Sequence, residues 1–361
     1  MSIAPLRRKE DTLAAVRRPV QLMVKFWRNL MIGVLVSAFF LWLAFRDVNW
    51  PEFQSVLQNA RWGYLPLIMV VYVGVLTTRA IRWYYLMDGR VRWWSVFHIH
   101  NIGFLINSTL PFRIGELARA YLISREQTGV SAWAVLSTIL TERILDVLAL
   151  VVILVLLLPF LPLEANVVTA GLLAGGVAVV AFGVLLASAR KPAWIYALLN
   201  LILRFLPFLQ RLKPVQLVDR VLDGLKPLTS RRGLLRIGFW SVIAWALAIL
   251  EVWTLALLFP DWPQTTASYA GLALALVGAS LSIVIPFTPA GVGPFEAAVI
   301  FALGVGGVPP ELRATFAIVW HTGLVLFYGL WGVIGLMALG LSLGQVWRGA
   351  AVFGKQPIQE T

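Results

Sequence analysis

Asn107-Ser108-Thr109-Leu110-Pro111-Phe112-Arg113-Ile114-Gly115-Glu116 places an amide, two hydroxyls, a proline, a glycine and two charges in the middle of an apolar region, residues 95–124. About 20 helical residues cross a hydrocarbon core of about 30 Å, so this region is too long for one simple span. A second region, 267–305, is broken in the same way at Pro286-Phe287-Thr288-Pro289-Ala290-Gly291-Val292-Gly293. Each is a kinked span or a re-entrant hairpin, with Pro111, Gly115, Pro286, Pro289, Gly291 and Gly293 at the breaks. Around them lie six stretches long and apolar enough to span, at about 27–45, 64–87, 132–158, 167–189, 236–259 and 312–341.

The composition agrees with lipid as the main solvent. Hydrophobic residues make up 60% of 361 positions and charged residues 13%, more apolar surface than a soluble core of this size can use. Several of the 16 Trp, including Trp27, Trp42, Trp50, Trp62, Trp93 and Trp94, fall near segment ends, as amphipathic rings do at a membrane interface. The net charge of +13 lies in the gaps between apolar segments and not on one polar domain, which points to anionic lipid and away from nucleic acid. With no Cys there is no disulfide framework, thiolate metal site or thiol nucleophile.

Basic residues near span ends accumulate on the cytoplasmic side, and this decides between kink and hairpin. If both broken regions are hairpins, Arg46, Arg61 and Arg313 lie outside, Arg113 and Arg143 lie within the membrane, and the remaining 25 of 30 Lys and Arg are cytoplasmic. If the first region crossed fully, the strongly basic segment from Arg190 to Arg236 would be outside. The expected fold is therefore an all-α integral membrane protein, with six spanning helices plus two re-entrant helical hairpins arranged as an inverted repeat. Residues 1–26, which do not resemble a cleaved signal peptide, form a basic cytoplasmic tail, and 27–345 a single transmembrane domain. Its halves, about 64–158 and 236–341, are joined by the span 167–189 and a basic cytoplasmic segment 190–235, in which Trp194 to Leu209 reads as an interfacial amphipathic helix. Residues 346–361 form a second cytoplasmic tail, and the expected location is the cell (inner) membrane.

The two broken regions match in the order of their parts. Pro111-Phe112 precedes Glu116, Gly129-Val130 and Glu142-Arg143, while Pro286-Phe287 precedes Glu296, Gly307-Val308 and Trp320-His321. Interrupted segments in corresponding positions of two inverted halves point to a transporter site near the bilayer midplane. The residues from Asn107 to Glu116, Arg119-Ala120-Tyr121-Leu122, Glu142-Arg143-Ile144-Leu145-Asp146, and the run from Pro286 to Glu296 resemble the flippase-like, lysylphosphatidylglycerol synthase transmembrane-domain family over about residues 60–345. That resemblance implies a lipid translocation module like the membrane half of the multiple peptide resistance factor, and the family name alone does not fix the lipid. The chain carries no soluble aminoacyl-transferase domain, so lysyl-lipid synthesis is not expected of it. His321 stands where many relatives of this kind carry Arg.

An anionic headgroup crossing hydrocarbon needs cations along its route. Arg113 and Arg143 are the candidates for phosphate contact, because a guanidinium donates paired hydrogen bonds and stays charged when desolvated. Asn107, Ser108 and Thr109 are candidate polar contacts, Glu116 lies near a helix start where it can cap the backbone, and Arg79 and Arg82 are candidate headgroup-access or snorkelling residues. Glu142 and Asp146 share a helical face with Arg143; with Glu251, Glu296 and His321 they are candidates for coupling or gating. His98 and His100 are two apart, a poor metal pair, and no metal or other cofactor is expected. No nucleotide-binding or hydrolase motif is present. A competing reading is an integral membrane transferase acting on a lipid or lipid-linked sugar, with Glu116, Glu142 or Asp146 as acid or base. Another is an accessory protein that binds a lipid-synthesis enzyme through its basic central segment.

Overall fold

The computed structural model describes residues 31, 34–46, 48–109, 113–126, 130–205, 214–282 and 288–353. The amino-terminal tail, the start of the first apolar stretch, Pro111, Pro286 and residues 354–361 lie outside them. The described chain is helical, with no strand among the described residues. Its helices are α1 (Val34–Phe45), α2 (Trp50–Gln58), α3 (Leu65–Leu86), α4 (Trp93–Thr109), α5 (Ile114–Glu126), α6 (Ala132–Leu157) and α7 (Ala165–Arg190). The second half contains α8 (Pro192–Phe205), α9 (Pro214–Thr229), α10 (Arg231–Ala256), α11 (Thr266–Ser282), α12 (Pro294–Val305), α13 (Pro310–Ala338) and α14 (Leu343–Phe353).

Among the described residues, four helical stretches are long and apolar enough to cross a membrane: Trp62–Leu86, Ala132–Phe160, Arg231–Ala256 and Pro310–Ala338. Shorter apolar helices accompany them. Val70, Leu173, Val177, Phe301 and Met337 are 69–76% exposed, an outward apolar surface that water would not tolerate over so large an area. The molecule is a multi-pass membrane protein.

Helix starts follow local chemistry. Ser131 and Ser230 cap α6 and α10 by accepting hydrogen bonds from the Ala134 and Gly233 amides at 3.1 and 3.0 Å. Pro294 and Pro310 open α12 and α13, where a missing N–H costs nothing.

Both expected breaks separate helices that fold back on each other. In the first pair, the Ser95 hydroxyl donates to Glu126, Gly103 faces Gly115 and Arg119, and the Gly115 amide donates to Asn107 Oδ1 at 2.8 Å. Those contacts define an antiparallel α4–α5 hairpin. In the second, Gly271 lies against Gly306, and Gly278 against Ala298, which defines an antiparallel α11–α12 hairpin. Hairpin α4–α5 packs on α6 and α13, and hairpin α11–α12 packs on α13 and α6.

The halves join where α3 packs on α10 and α4 on α13. Helices α3 and α10 are antiparallel: the Arg61 amide, just before α3, donates to the Leu258 carbonyl just after α10 at 2.7 Å. Two hydrophobic cores result. One is built around Trp245, Val252, Phe295, Phe316 and Trp320, the other around Trp83, Ile99, Ala118, Ile139 and Leu225.

In the central segment, helix α8 covers most of the stretch read as an amphipathic helix, and a second helix, α9, follows it. Helix α9 packs on α6 with Gly224 against the Ser137 carbonyl and Thr141. At the carboxyl end, α14 crosses the expected tail boundary and packs on α5 through Gly349 and Tyr121.

A Cβ at Gly115 would collide with the Gly103 carbonyl and the Asn107 side chain. Gly115→Ala should therefore lower the thermal unfolding midpoint in detergent, whereas Gly183→Ala on α7, where a Cβ meets nothing within 4 Å, should leave it unchanged or raise it. Equal midpoints for the two variants would contradict the close α4–α5 contact.

Candidate functional site

Three elements bring seven charged side chains together. Helix α3 supplies Arg82 from its last turns; Arg113, Glu116 and Arg119 form a three-residue stripe entering and lining α5; and α6 supplies Glu142, Arg143 and Asp146. Glu142 is the hub. Its Oε2 pairs with Arg119 Nη2 at 2.7 Å, and its Oε1 with Arg143 Nη2 at 3.1 Å and Arg82 Nη2 at 3.4 Å. Asp146 pairs with Arg82 Nη1 at 2.7 Å and Arg143 Nη1 at 3.4 Å. Glu116 pairs with Arg113 at 3.3 Å and lies 3.8 Å from Arg143 Nε.

The cluster grades from a closed floor to an accessible edge. The side chains of Arg82, Arg119 and Glu142 are 1%, 5% and 1% exposed, while those of Arg113 and Arg143 are 25% and 33% exposed. The Arg119 guanidinium lies 3.8 Å above the centre of the Trp83 ring, and the Trp83 indole N–H donates to Thr138 at 3.1 Å, which fixes the ring beneath the cation. Four arginines face three carboxylates, a surplus of one positive charge. The Nε–H groups of all four arginines lack a hydrogen-bond acceptor among the described residues. Such an arrangement can hold an anion at its open edge without moving its floor.

A second polar group lies in the other half. Glu296 Oε2 accepts from the Gly293 amide at 2.7 Å at the start of α12, while Oε1 lies 2.6 Å from His321 Nδ1. The opposite ring nitrogen, His321 Nε2, lies 3.2 Å from the Ala290 carbonyl. Ala290, Gly291 and Gly293 have φ of 54°, 81° and 94°, a left-handed path that glycine follows at least cost. Nearby, buried Glu251 accepts from the Trp320 indole N–H at 2.9 Å.

The remaining sequence candidates are placed as follows. Asn107 is used in the Gly115 contact, and the Ser108 and Thr109 hydroxyls donate to the Phe104 and Leu105 carbonyls, each at 2.9 Å. The three therefore stabilise the end of α4. Arg82 is buried beneath the cluster and does not snorkel; Arg79 is half-buried, its guanidinium 5.7 Å from the Trp245 ring centre. Arg119 and Trp83 were not singled out for the site from sequence. The three-residue spacing of Arg113, Glu116 and Arg119 is the signal that points to Arg119; Trp83 gives no such signal.

Removing the central charge should be costly. Glu142→Gln leaves Arg82 and Arg119 buried against a neutral amide, and breaking a buried ion pair costs about 3–5 kcal/mol. The unfolding midpoint in detergent should fall sharply, and further than in Arg143→Gln at the accessible edge. A midpoint for Glu142→Gln equal to that of the unsubstituted protein would remove Glu142 as the hub.

The sequence matches the profile described as "Lysylphosphatidylglycerol synthase TM region" over residues 30–332. It is also 22% identical over 307 residues to a protein described as "UPF0104 membrane protein" from Methanothermobacter thermautotrophicus, covering 82% of this chain and 88% of that protein. By the extent of the profile match, the chain belongs to the lysylphosphatidylglycerol synthase TM region family.

Proposed function

We propose that this protein moves a lipid with an anionic headgroup between membrane leaflets, with the headgroup phosphate passing the open edge of the arginine cluster while the tails stay in the bilayer. The observation that carries this reading is the cluster's charge and grading: four arginines against three carboxylates, closed at Glu142 and open at Arg113 and Arg143. Family membership is consistent with a lipid-related role. Arg113 and Arg143 contact the phosphate, Arg82 and Arg119 hold the floor, and Glu142 and Asp146 keep the cluster together when no phosphate is present.

In this reading α1 and α7 complete six spans, and the two hairpins are re-entrant halves of an inverted repeat. Several matched contacts support it. Helices α3 and α10 precede the hairpins and run antiparallel, and α6 and α13 follow them. Arg82 on α3 meets Glu142 on α6, as Glu251 on α10 meets Trp320 on α13. Glu116 approaches Arg143 as Glu296 approaches His321. Arg143 and His321 are each the twelfth residue of their helices, about 17 Å from the helix start at 1.5 Å per residue and so near mid-depth. Rocking one half against the other then exposes the cluster to each leaflet in turn.

The test is reconstitution into liposomes carrying fluorescent phosphatidylglycerol in both leaflets, followed by a membrane-impermeant quencher. The protein should raise the quenched fraction above that of protein-free vesicles. Arg113→Ala, removing a charge-assisted contact of about 1.5–3 kcal/mol, should slow the exchange about 10- to 100-fold, while exposed Arg90→Ala should not. Absence of exchange with any anionic lipid, or conversion of the lipid to a new species, would overturn the reading.

The expected orientation has its own test, because the chain has no Cys. A single cysteine at Val215 should react with an impermeant reagent only from the cytoplasmic side, and one at Glu164 only from outside. Labelling of both from one side would remove the inverted arrangement.

A further inference from the structure

The two hairpin-to-helix contacts are built alike but differ in one chemical respect. In the first half a carboxylate, Glu116, approaches an arginine, which holds its charge permanently. In the second a carboxylate, Glu296, approaches a histidine, which can gain and lose a proton.

Hydrogen-bond geometry defines the proton count at that second contact. Both ring nitrogens of His321 face oxygens: Glu296 Oε1 at 2.6 Å and the Ala290 carbonyl at 3.2 Å. A carbonyl only accepts, so Nε2 must carry hydrogen for that bond to exist. At 2.6 Å from the carboxyl, Nδ1 also needs a proton between the two atoms, whether it resides on nitrogen or oxygen. The observed contacts therefore require one more proton than a carboxylate beside a neutral imidazole holds. With it, the pair is electrically neutral. Loss of that proton leaves a net negative charge and only one N–H for two acceptors, so either Glu296 or Ala290 loses its bond.

Ala290 belongs to the turn Pro289–Gly291, which packs against α4 of the other half, and Gly293 in the same loop lies against Ser37 and Phe40 of α1. The proton therefore ties the tip of the second hairpin to α13 where the two halves meet. Other charged and titratable groups on the packed helices are engaged separately or lie apart. Glu251 on α10 bonds to Trp320, and Arg313 on α13 lies beside Gly304. Helix α11 has only Tyr269, whose hydroxyl donates to Gln264 Oε1 at 2.8 Å, α12 has only Glu296, α2 has exposed Glu52, and α4 has His98 and His100. Phe295 stacks on the imidazole with ring centroids 4.2 Å apart, covering one face of the ring.

We propose that Glu296 and His321 form a proton-binding site, and that a proton is carried or exchanged with each lipid, coupling translocation to a pH gradient. The site is independent of the lipid assignment, but the coupling rests on the translocase reading above. For a singly charged lipid accompanied by one proton, transfer is electroneutral.

Glu296→Gln tests this without abolishing the contacts. The Gln carboxamide can accept from the Gly293 amide and donate to Nδ1 while Nε2–H still donates to Ala290, reproducing the contacts of the protonated pair without a carboxyl group and leaving no acceptor for a proton on Nδ1. The chain has three histidines, so 15N-histidine NMR in nanodiscs reads the site directly, with His321→Asn, or His98→Asn and His100→Asn by elimination, assigning the signals. Across a pH series in which the protein stays folded, the His321 ring signals should pass from the doubly to the singly protonated pattern in the unsubstituted protein. In Glu296→Gln it should stay a single Nε2–H tautomer. A His321 that keeps one tautomer throughout in the unsubstituted protein would overturn the proton site.

Coupling is read in the liposome assay with the membrane potential clamped by potassium and valinomycin. A pH difference of one unit should shift the equilibrium leaflet ratio of fluorescent phosphatidylglycerol by up to about tenfold, the equivalent of 1.4 kcal/mol. For Glu296→Gln the ratios with and without the gradient should coincide. Lipid exchange that ignores the gradient in the unsubstituted protein overturns the coupling and leaves the translocase reading intact. Titration of His321 without any lipid exchange overturns the translocase reading and its coupling, and supports the proton site.

Discussion

A buried carboxylate on a membrane helix must be compensated where it stands, and Glu142 sets this requirement for the first half of the molecule. Desolvating an isolated charge costs several kcal/mol even after relaxation, and hydrocarbon supplies no partner. Glu142 answers with Arg119, Arg143 and Arg82, drawn from α5, α6 and α3. Arg119 and Arg82 fix α5 and α3 relative to α6, Arg143 closes the network within α6, and α5 is thereby close enough for Glu116 and Arg113 to extend it. The hairpin meets α6 through ion pairs as well as through apolar packing.

A break inside a membrane helix adds a second requirement, since freed backbone groups need partners that lipid cannot supply. At the end of the first break the Gly115 amide donates to the Asn107 side chain; at the second, the Gly293 amide donates to Glu296 and the Ala290 carbonyl faces His321. Asn107, which reads from sequence as a ligand contact, thus serves the backbone across the break, while the Ser108 and Thr109 hydroxyls donate back to carbonyls within α4.

Much of the architecture was legible because apolar length is a strong signal. The stretch 64–87 appears as Leu65–Leu86 of α3, and 132–158 as Ala132–Leu157 of α6. Proline and glycine marked the places where α4 stops and α12 begins. The common face of Glu142, Arg143 and Asp146 followed from helical spacing, but their partners did not. Arg82 is 60 residues from Glu142 and Arg119 is 23, and one sequence contains no record of which distant residues converge. The same limit hid the partner of α9: its amphipathic pattern marks a helix with one buried face, but not that Gly224 on that helix meets α6.

Gly103 and Gly115 bring the backbones of α4 and α5 so close that neither position has room for a methyl group. The first hairpin is consequently a single wedge with no crevice between its legs wide enough for an acyl chain at that depth. Under the proposed translocation, a lipid's tails keep to its outer flank and the path widens by movement of the wedge as one unit, not by spreading of its legs. Two glycines with no chemistry of their own thus make the hairpin a single piece.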